Sequence, residues 1–147
     1  MELKVKNIGH KSYSQAQAIQ QEVHAQVLAG GEDTLILCEH PHVYTFGKSA
    51  DRNNLLISSE FLKRIRAEVH ETERGGDITY HGPGQLVGYP IINLRKHGVG
   101  IKKYVETLEL SIINQLATFN ITAYQIYGLT GIWVGQEGDI KRKIGAI

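Results

Sequence analysis

The sequence predicts an α+β domain, a mixed β-sheet with helices packed against it. Short runs that alternate, or are rich in β-branched residues, read as strands. Two longer stretches repeat apolar residues at three- and four-residue steps and read as helices. Strands and helices are interspersed along the chain, with two hairpins, which favours helices lying on a mixed sheet. At 147 residues the chain fits a single domain, 1–147.

Leu3 to Ile8 alternates apolar and polar residues and opens the chain as a strand. Ser12 and Gln15 form a capping-box pattern ahead of a helix whose face carries Tyr13, Ala16, Ile19, Val23 and Val27. Gly30 and Gly31 end it. Thr34 to Cys38 is expected to be an interior strand, and Val43 to Phe46 a second one. His40 and His42 flank Pro41 between them. Without further ligands at suitable spacing they read as structural, one ring bonded to backbone, rather than as metal ligands. Asp51 to Leu56 is expected to be a loop. Ser58 or Ser59 caps a short helix bearing Phe61, Leu62 and Ile65, with Lys63, Arg64 and Arg66 outward. Val69 to Thr72 is a further strand. Ile101, Val105, Leu108, Ile112, Leu116 and Phe119 are spaced to share one helix face. Thr122 to Ile126, Ile132 to Val134 and Lys143 to Ile147 close the chain as strands, with a turn at Gln136–Asp139.

Composition excludes several classes. The chain is 41% hydrophobic and 21% charged, enough to bury a core and too ordered for a disordered or fibrous class. A net charge of +1 gives no electrostatic case for nucleic acid. The one cysteine, Cys38, rules out an internal disulfide framework and suits a reducing cytoplasm. It lies within an apolar strand, where a thiol behaves as a small hydrophobe and not as a nucleophile. The N-terminus has no long apolar run, so neither a signal peptide nor a membrane span is expected.

Arg74 to Leu94, RGGDITYHGPGQLVGYPIINL, organises the rest. Gly75 and Gly76 remove side chains where another molecule could approach the backbone, and Pro83 stiffens the second turn. Two tight loops around a short strand, with polar groups at their tips, describe either a binding wall or an ordinary glycine-rich turn. At the other end, Lys143 follows Lys141 and Arg142 and opens an apolar run, Ile144 to Ile147. Pattern leaves open whether Lys143 points inward or joins a surface cluster.

This stretch, the helix after it, GIWVG and RKIGAI closely resemble the lipoyl(octanoyl) transferases of lipoate biosynthesis. EHPHVYTFGKSAD is similar to the family's upstream strand–loop segment, and the likeness is collinear to Ile147. The resemblance implies a fold similar to the biotin and lipoate protein ligase catalytic domain. It also implies an octanoyltransferase, moving an octanoyl group from acyl carrier protein to a lysine amine. The acceptors are lipoyl domains of 2-oxoacid dehydrogenases and the glycine-cleavage H protein, with no cofactor and no metal. Arg74, Gly75, Gly76, Asp77, Ile78, Thr79, Tyr80 and His81 fall on the family's acyl-pocket segment. Lys143 matches the lysine that lowers the pKa of a nucleophilic cysteine, and Ala146 and Ile147 match the start of a second acyl-contacting segment. The family's cysteine lies after that segment, so these 147 residues are expected to be an incomplete catalytic domain. An ATP-dependent lipoate or biotin ligase of the same fold is the alternative, to which Lys143 is equally suited. A catalytically inactive module that binds the carrier protein is the other.

Overall fold

The structure, a computed structural model, describes residues 2–135 and 141–147. Its contacts divide the chain into two units, Met1–Asn93 and Leu94–Ile147.

In the first unit, β2 (Thr34–Glu39) alternates buried and half-buried residues, with Thr34, Ile36 and Cys38 on the buried face. It is the interior strand of a mixed sheet, parallel to β1 (Lys4–His10) and antiparallel to β6 (Val87–Ile91). Helix α1 (Tyr13–Leu28) starts at the expected capping box. The Ser12 hydroxyl accepts from the Gln15 amide, and the Gln15 side chain accepts from the Ser12 amide. The buried side of α1 is Ala16, Val23 and Val27. Ala16 meets Cys38 and Val87, while Val23 and Val27 meet Ile36, which is the core of this unit.

A second mixed sheet is centred on β3 (Val43–Phe46). It pairs in parallel with β4 (Glu68–Glu71) and antiparallel with β5 (Ile78–His81). The loop after β3 contains one turn of 3₁₀ helix, Arg52–Asn54, and Ser58 caps the short helix α2 (Ser59–Arg64). Lys63, Arg64 and Arg66 are exposed, and the Arg64 guanidinium lies over the Phe61 ring.

The second unit holds α3 (Ile101–Ala117) and an antiparallel sheet of β7 (Tyr124–Ile126), β8 (Leu129–Val134) and β9 (Arg142–Gly145). The closing β8–β9 hairpin is present, and the turn expected at 136–139 lies outside the described residues. The chain has no hairpin at Gly82–Gly84, because β5 and β6 join different sheets. The face expected of α3 is only partly inward. Ile101, Ile112 and Phe119 are exposed, and the one buried residue of the helix is Glu109. Phe119 lies beyond the helix, where Asn120 takes a φ of 58° and the Ile121 amide returns to the Leu116 carbonyl. Strand β9 stops at Gly145, leaving Ala146 and Ile147 outside it and exposed. No helix among the described residues is long and apolar enough to cross a membrane.

Candidate active site

The glycine-rich segment Arg74–His81 runs from the loop after β4 into β5, and its loop part is clamped to the end of β3. Gly47 donates to the Asp77 carbonyl at 3.1 Å, Lys48 to the Arg74 carbonyl at 2.9 Å and Ser49 to the Gly76 carbonyl at 3.3 Å. The two backbones approach so closely that a Cβ on Gly47 would lie 2.3 Å from the Gly76 oxygen. Gly76 itself takes a φ of 83°.

Arg74 turns back on its own loop and on β3. Its Nη2 donates to the Thr45 carbonyl at 2.6 Å and the Asp77 carbonyl at 2.9 Å, and its Nη1 to the Gly75 carbonyl at 2.9 Å. The Asp77 carboxylate accepts from the Asp51 amide at 3.1 Å and from the Asn54 side chain, tying the 3₁₀ turn to the same loop. Both charged residues of the segment are thus occupied in shaping it. The amides of Gly75 and Gly76 donate to no acceptor among the described residues, and a Cβ on Gly75 would meet nothing within 4 Å.

Along β5, Ile78 and Thr79 are half-buried opposite Phe46 and Thr45. The Tyr80 hydroxyl pairs with His42 Nδ1 at 2.6 Å, and its ring lies on Gly82, where a Cβ would be 2.1 Å from the hydroxyl. Burial, and secondarily the nearby Tyr44 phenol, raises the Tyr80 pKa, so the hydroxyl stays protonated. His81 Nδ1 lies 2.9 Å from the Gln85 amide oxygen, which can only accept, so Nδ1 carries the proton. Burial lowers the His81 pKa below its ordinary value. Its neutral ring therefore presents Nε2 as an acceptor.

His40 is 1% exposed, and its ring centroid lies 5.7 Å from that of His81. Its Nδ1 donates to the Lys11 carbonyl at 2.7 Å, leaving Nε2 to accept from the Tyr89 hydroxyl at 2.8 Å. Cys38 Sγ is 3.6 Å from the same Nε2, and burial raises the thiol pKa. A buried thiol with a raised pKa is a weak nucleophile. Among the described residues no cluster of His, Cys, Asp or Glu is placed to hold a metal ion.

A shallow depression of about 390 Å³ in the first unit is lined by Gln17, Phe46, Lys48, Arg52 and Glu73, among others. Its walls are charged, and none of Arg74–His81 lines it.

In the second unit Lys143 stands opposite Trp133 in the β8–β9 ladder. Its ammonium lies 4.9 Å from the Trp133 ring centroid and donates to the Thr130 carbonyl at 2.9 Å. Its methylenes cross Gly131, where a Cβ would be 3.0 Å from Lys143 Cε. The side chain is exposed yet held at its tip. An extra residue on β9, Ile144, breaks the simple alternation next to it.

The sequence reading did not single out Glu109. The residue is 6% exposed, and its carboxylate accepts from the Gly131 amide at 2.7 Å and from Gln125 Nε2 at 2.6 Å. The available signal was its place beside Leu108, inside an otherwise apolar helical stripe.

Residues 12–147 match the family model described as the lipoyl protein ligase A/B catalytic domain. The chain is 55% identical over 114 residues to an octanoyltransferase of Cytophaga hutchinsonii, covering 77% of this chain and 47% of the relative. It is 49% identical over 116 residues to one of Bacteroides fragilis, covering 79% and 52%. An octanoyltransferase of Flavobacterium psychrophilum is 40% identical over 157 residues, covering 99% and 68%. The chain thus spans about half the length of the first two relatives. Among solved structures, the bi-partite lipoate protein ligase of Thermoplasma acidophilum superposes with a TM-score of 0.66 at 14% identity, covering 91% of this chain and 51% of that one. Lipoate-protein ligase A bound with ATP superposes with a TM-score of 0.64 at 13% identity, covering 89% and 53%. At such identities the superpositions speak for the fold alone, which is that of the lipoate ligase catalytic domain. By its sequence, the chain belongs to the octanoyltransferase family within the lipoyl protein ligase A/B catalytic domains.

Proposed function

We propose that residues 1–147 form part of one catalytic domain that transfers an octanoyl group from its thioester on acyl carrier protein to a lysine amine of a lipoyl domain. The observation that carries this reading is a likeness to octanoyltransferases that runs through the whole chain, 46% identical over 149 residues and all of its length in the Alkaliphilus metalliredigens relative. Lipoyl domains of 2-oxoacid dehydrogenases and the glycine-cleavage H protein are the proposed acceptors. The proposed setting is the cytoplasm, with no nucleic acid or membrane partner.

The chemistry needs a thiol as intermediate carrier. Its thiolate attacks the carrier-protein thioester and releases the carrier's own thiol. The acceptor amine then attacks the new thioester, forming the amide and freeing the thiol. A thiol is mostly protonated at neutral pH, and a cation close by lowers its pKa by roughly one to three units. Lys143 is the residue proposed for that task. Its ammonium, fixed by the Thr130 carbonyl and the Trp133 ring, loses little freedom when it meets a thiolate. Cys38 does not suit the part, being buried with a raised pKa. The nucleophile is assigned instead to the part of the relatives' length that these residues do not span.

The open amides of Gly75 and Gly76 are suited to hold the thioester oxygen as it becomes an anion. Arg74 and Asp77 keep those glycines in place, while Ile78, Thr79, Tyr80 and His81 form the proposed acyl wall. Ala146 and Ile147 keep the acyl contacts that the family likeness implies. Supplying octanoyl-acyl carrier protein, or octanoate with ATP, to the protein at the full length of its relatives tests the reading. Transfer from the thioester without ATP is expected. ATP–pyrophosphate exchange driven by octanoate would overturn it in favour of a ligase.

A further inference from the structure

Glu109 is the one buried residue of α3, and it is a carboxylate. Burying a charge is costly unless its oxygens are matched by donors. Here Oε1 accepts from the Gly131 amide at 2.7 Å and Oε2 from Gln125 Nε2 at 2.6 Å, short distances characteristic of charge-assisted bonds. The Gly131 amide belongs to the same peptide group as the Thr130 carbonyl. That carbonyl accepts from Lys143 Nζ at 2.9 Å. One peptide dipole therefore stands between a carboxylate at its N–H end and an ammonium at its C=O end. Each charge polarises the peptide in the sense that strengthens the other's bond. Gly131 permits the arrangement twice. Its φ of 121° sets the peptide plane, and the missing Cβ makes room for the Lys143 methylenes and for the Gly145 carbonyl, which would lie 2.7 Å away.

We infer that Glu109 is a positioning residue for Lys143, fixing the Thr130–Gly131 peptide and, through it, the place of the ammonium over Trp133. The link is a matter of geometry, and its consequence for catalysis rests on the role proposed for Lys143.

Trp133 is the chain's single tryptophan, so its fluorescence reports on the ring that Lys143 covers. Lys143→Met sets the emission change that marks loss of the cation. Glu109→Gln is expected to reproduce most of that change and to move the Gly131 amide proton upfield, as its charged acceptor becomes neutral. Gln125→Ala, which removes only the bond to Oε2, is expected to leave emission close to the parent. A folded Glu109→Gln variant with parental emission and an unmoved Gly131 amide overturns the inference. Should Glu109→Gln fail to fold, Glu109→Asp decides. An emission shift in the Lys143→Met direction supports the link, and parental emission overturns it. In the protein at its relatives' full length, Glu109→Gln should lower kcat by about tenfold with KM unchanged, the scale of loss seen for outer partners of metal ligands. Lys143→Met read alone in that assay tests the catalytic role separately. If transfer survives Lys143→Met while Glu109→Gln still shifts the Trp133 signal, the link stands and the function assigned to Lys143 fails.

Discussion

Arg74 grips Thr45 by both its hydroxyl and its carbonyl: Nη2 donates to Oγ1 at 3.0 Å and to the carbonyl at 2.6 Å, and Nε reaches Oγ1 at 3.3 Å. Thr45 is fully buried at the centre of β3, so this fork sews the glycine loop to the strand beside it. An ammonium cannot span the same acceptors. Arg74→Lys should destabilise the chain by about 1–3 kcal/mol, the usual loss when buried acceptors lose their partner. Urea unfolding checks it, and an unchanged midpoint would show that the fork is incidental.

Gly47 and Gly75 separate structure from ligand access. A Cβ on Gly47 runs into the Gly76 and Gly75 carbonyl oxygens at 2.3 and 2.8 Å, whereas one on Gly75 enters open space. Gly47→Ala is expected to cost about 1–3 kcal/mol through overpacking. Gly75→Ala should stay within about 0.5 kcal/mol in unfolding experiments, as surface changes do. In the transfer assay Gly75→Ala should nonetheless raise KM for the acyl donor. An active, unperturbed Gly75→Ala enzyme would place the acyl group elsewhere.

His81 gives the pH dependence a definite sign. Burial holds its folded pKa below the ordinary 6.5, ahead of the opposing effect of the Gln85 bond. As pH falls through 6.5 the unfolded chain takes up the proton first, so stability contributed by the neutral ring is complete above 6.5 and is lost below it. The slope should flatten in His81→Gln. An NMR titration that finds the His81 ring protonating above 6.5 would contradict the assignment.

Cys38 should be silent in the folded chain. The residue is 2% exposed and burial raises the thiol pKa. Iodoacetamide should label it in denaturant and scarcely at all without, as judged by mass spectrometry. Rapid labelling of the native protein would mean that the thiol is reachable and would reopen its candidacy as the nucleophile.

Local patterns revealed what local physics decides. The Ser12 capping box, the interior strand β2 and the limits of β3 follow from adjacent residues and appear as expected. The role of His40 was legible too, since a histidine beside a buried strand needs a backbone partner and finds the Lys11 carbonyl. Long-range choices were not legible. Sequence adjacency favours pairing across Gly82–Gly84, but β5 follows β3 and β6 follows β2. The bulge at Ile144 sets Lys143 opposite Trp133, which no alternation rule foretells. Glu109 interrupts the apolar stripe of α3, but only the amides it receives show what a carboxylate does there.

The most direct measurement is octanoyl transfer from octanoyl-acyl carrier protein to a lipoyl-domain lysine, followed by intact-mass spectrometry, in the protein at its relatives' full length. The predicted result is transfer that Cys38→Ser leaves intact and Lys143→Met abolishes. Transfer that survives Lys143→Met, or an octanoyl thioester found on Cys38, would contradict it.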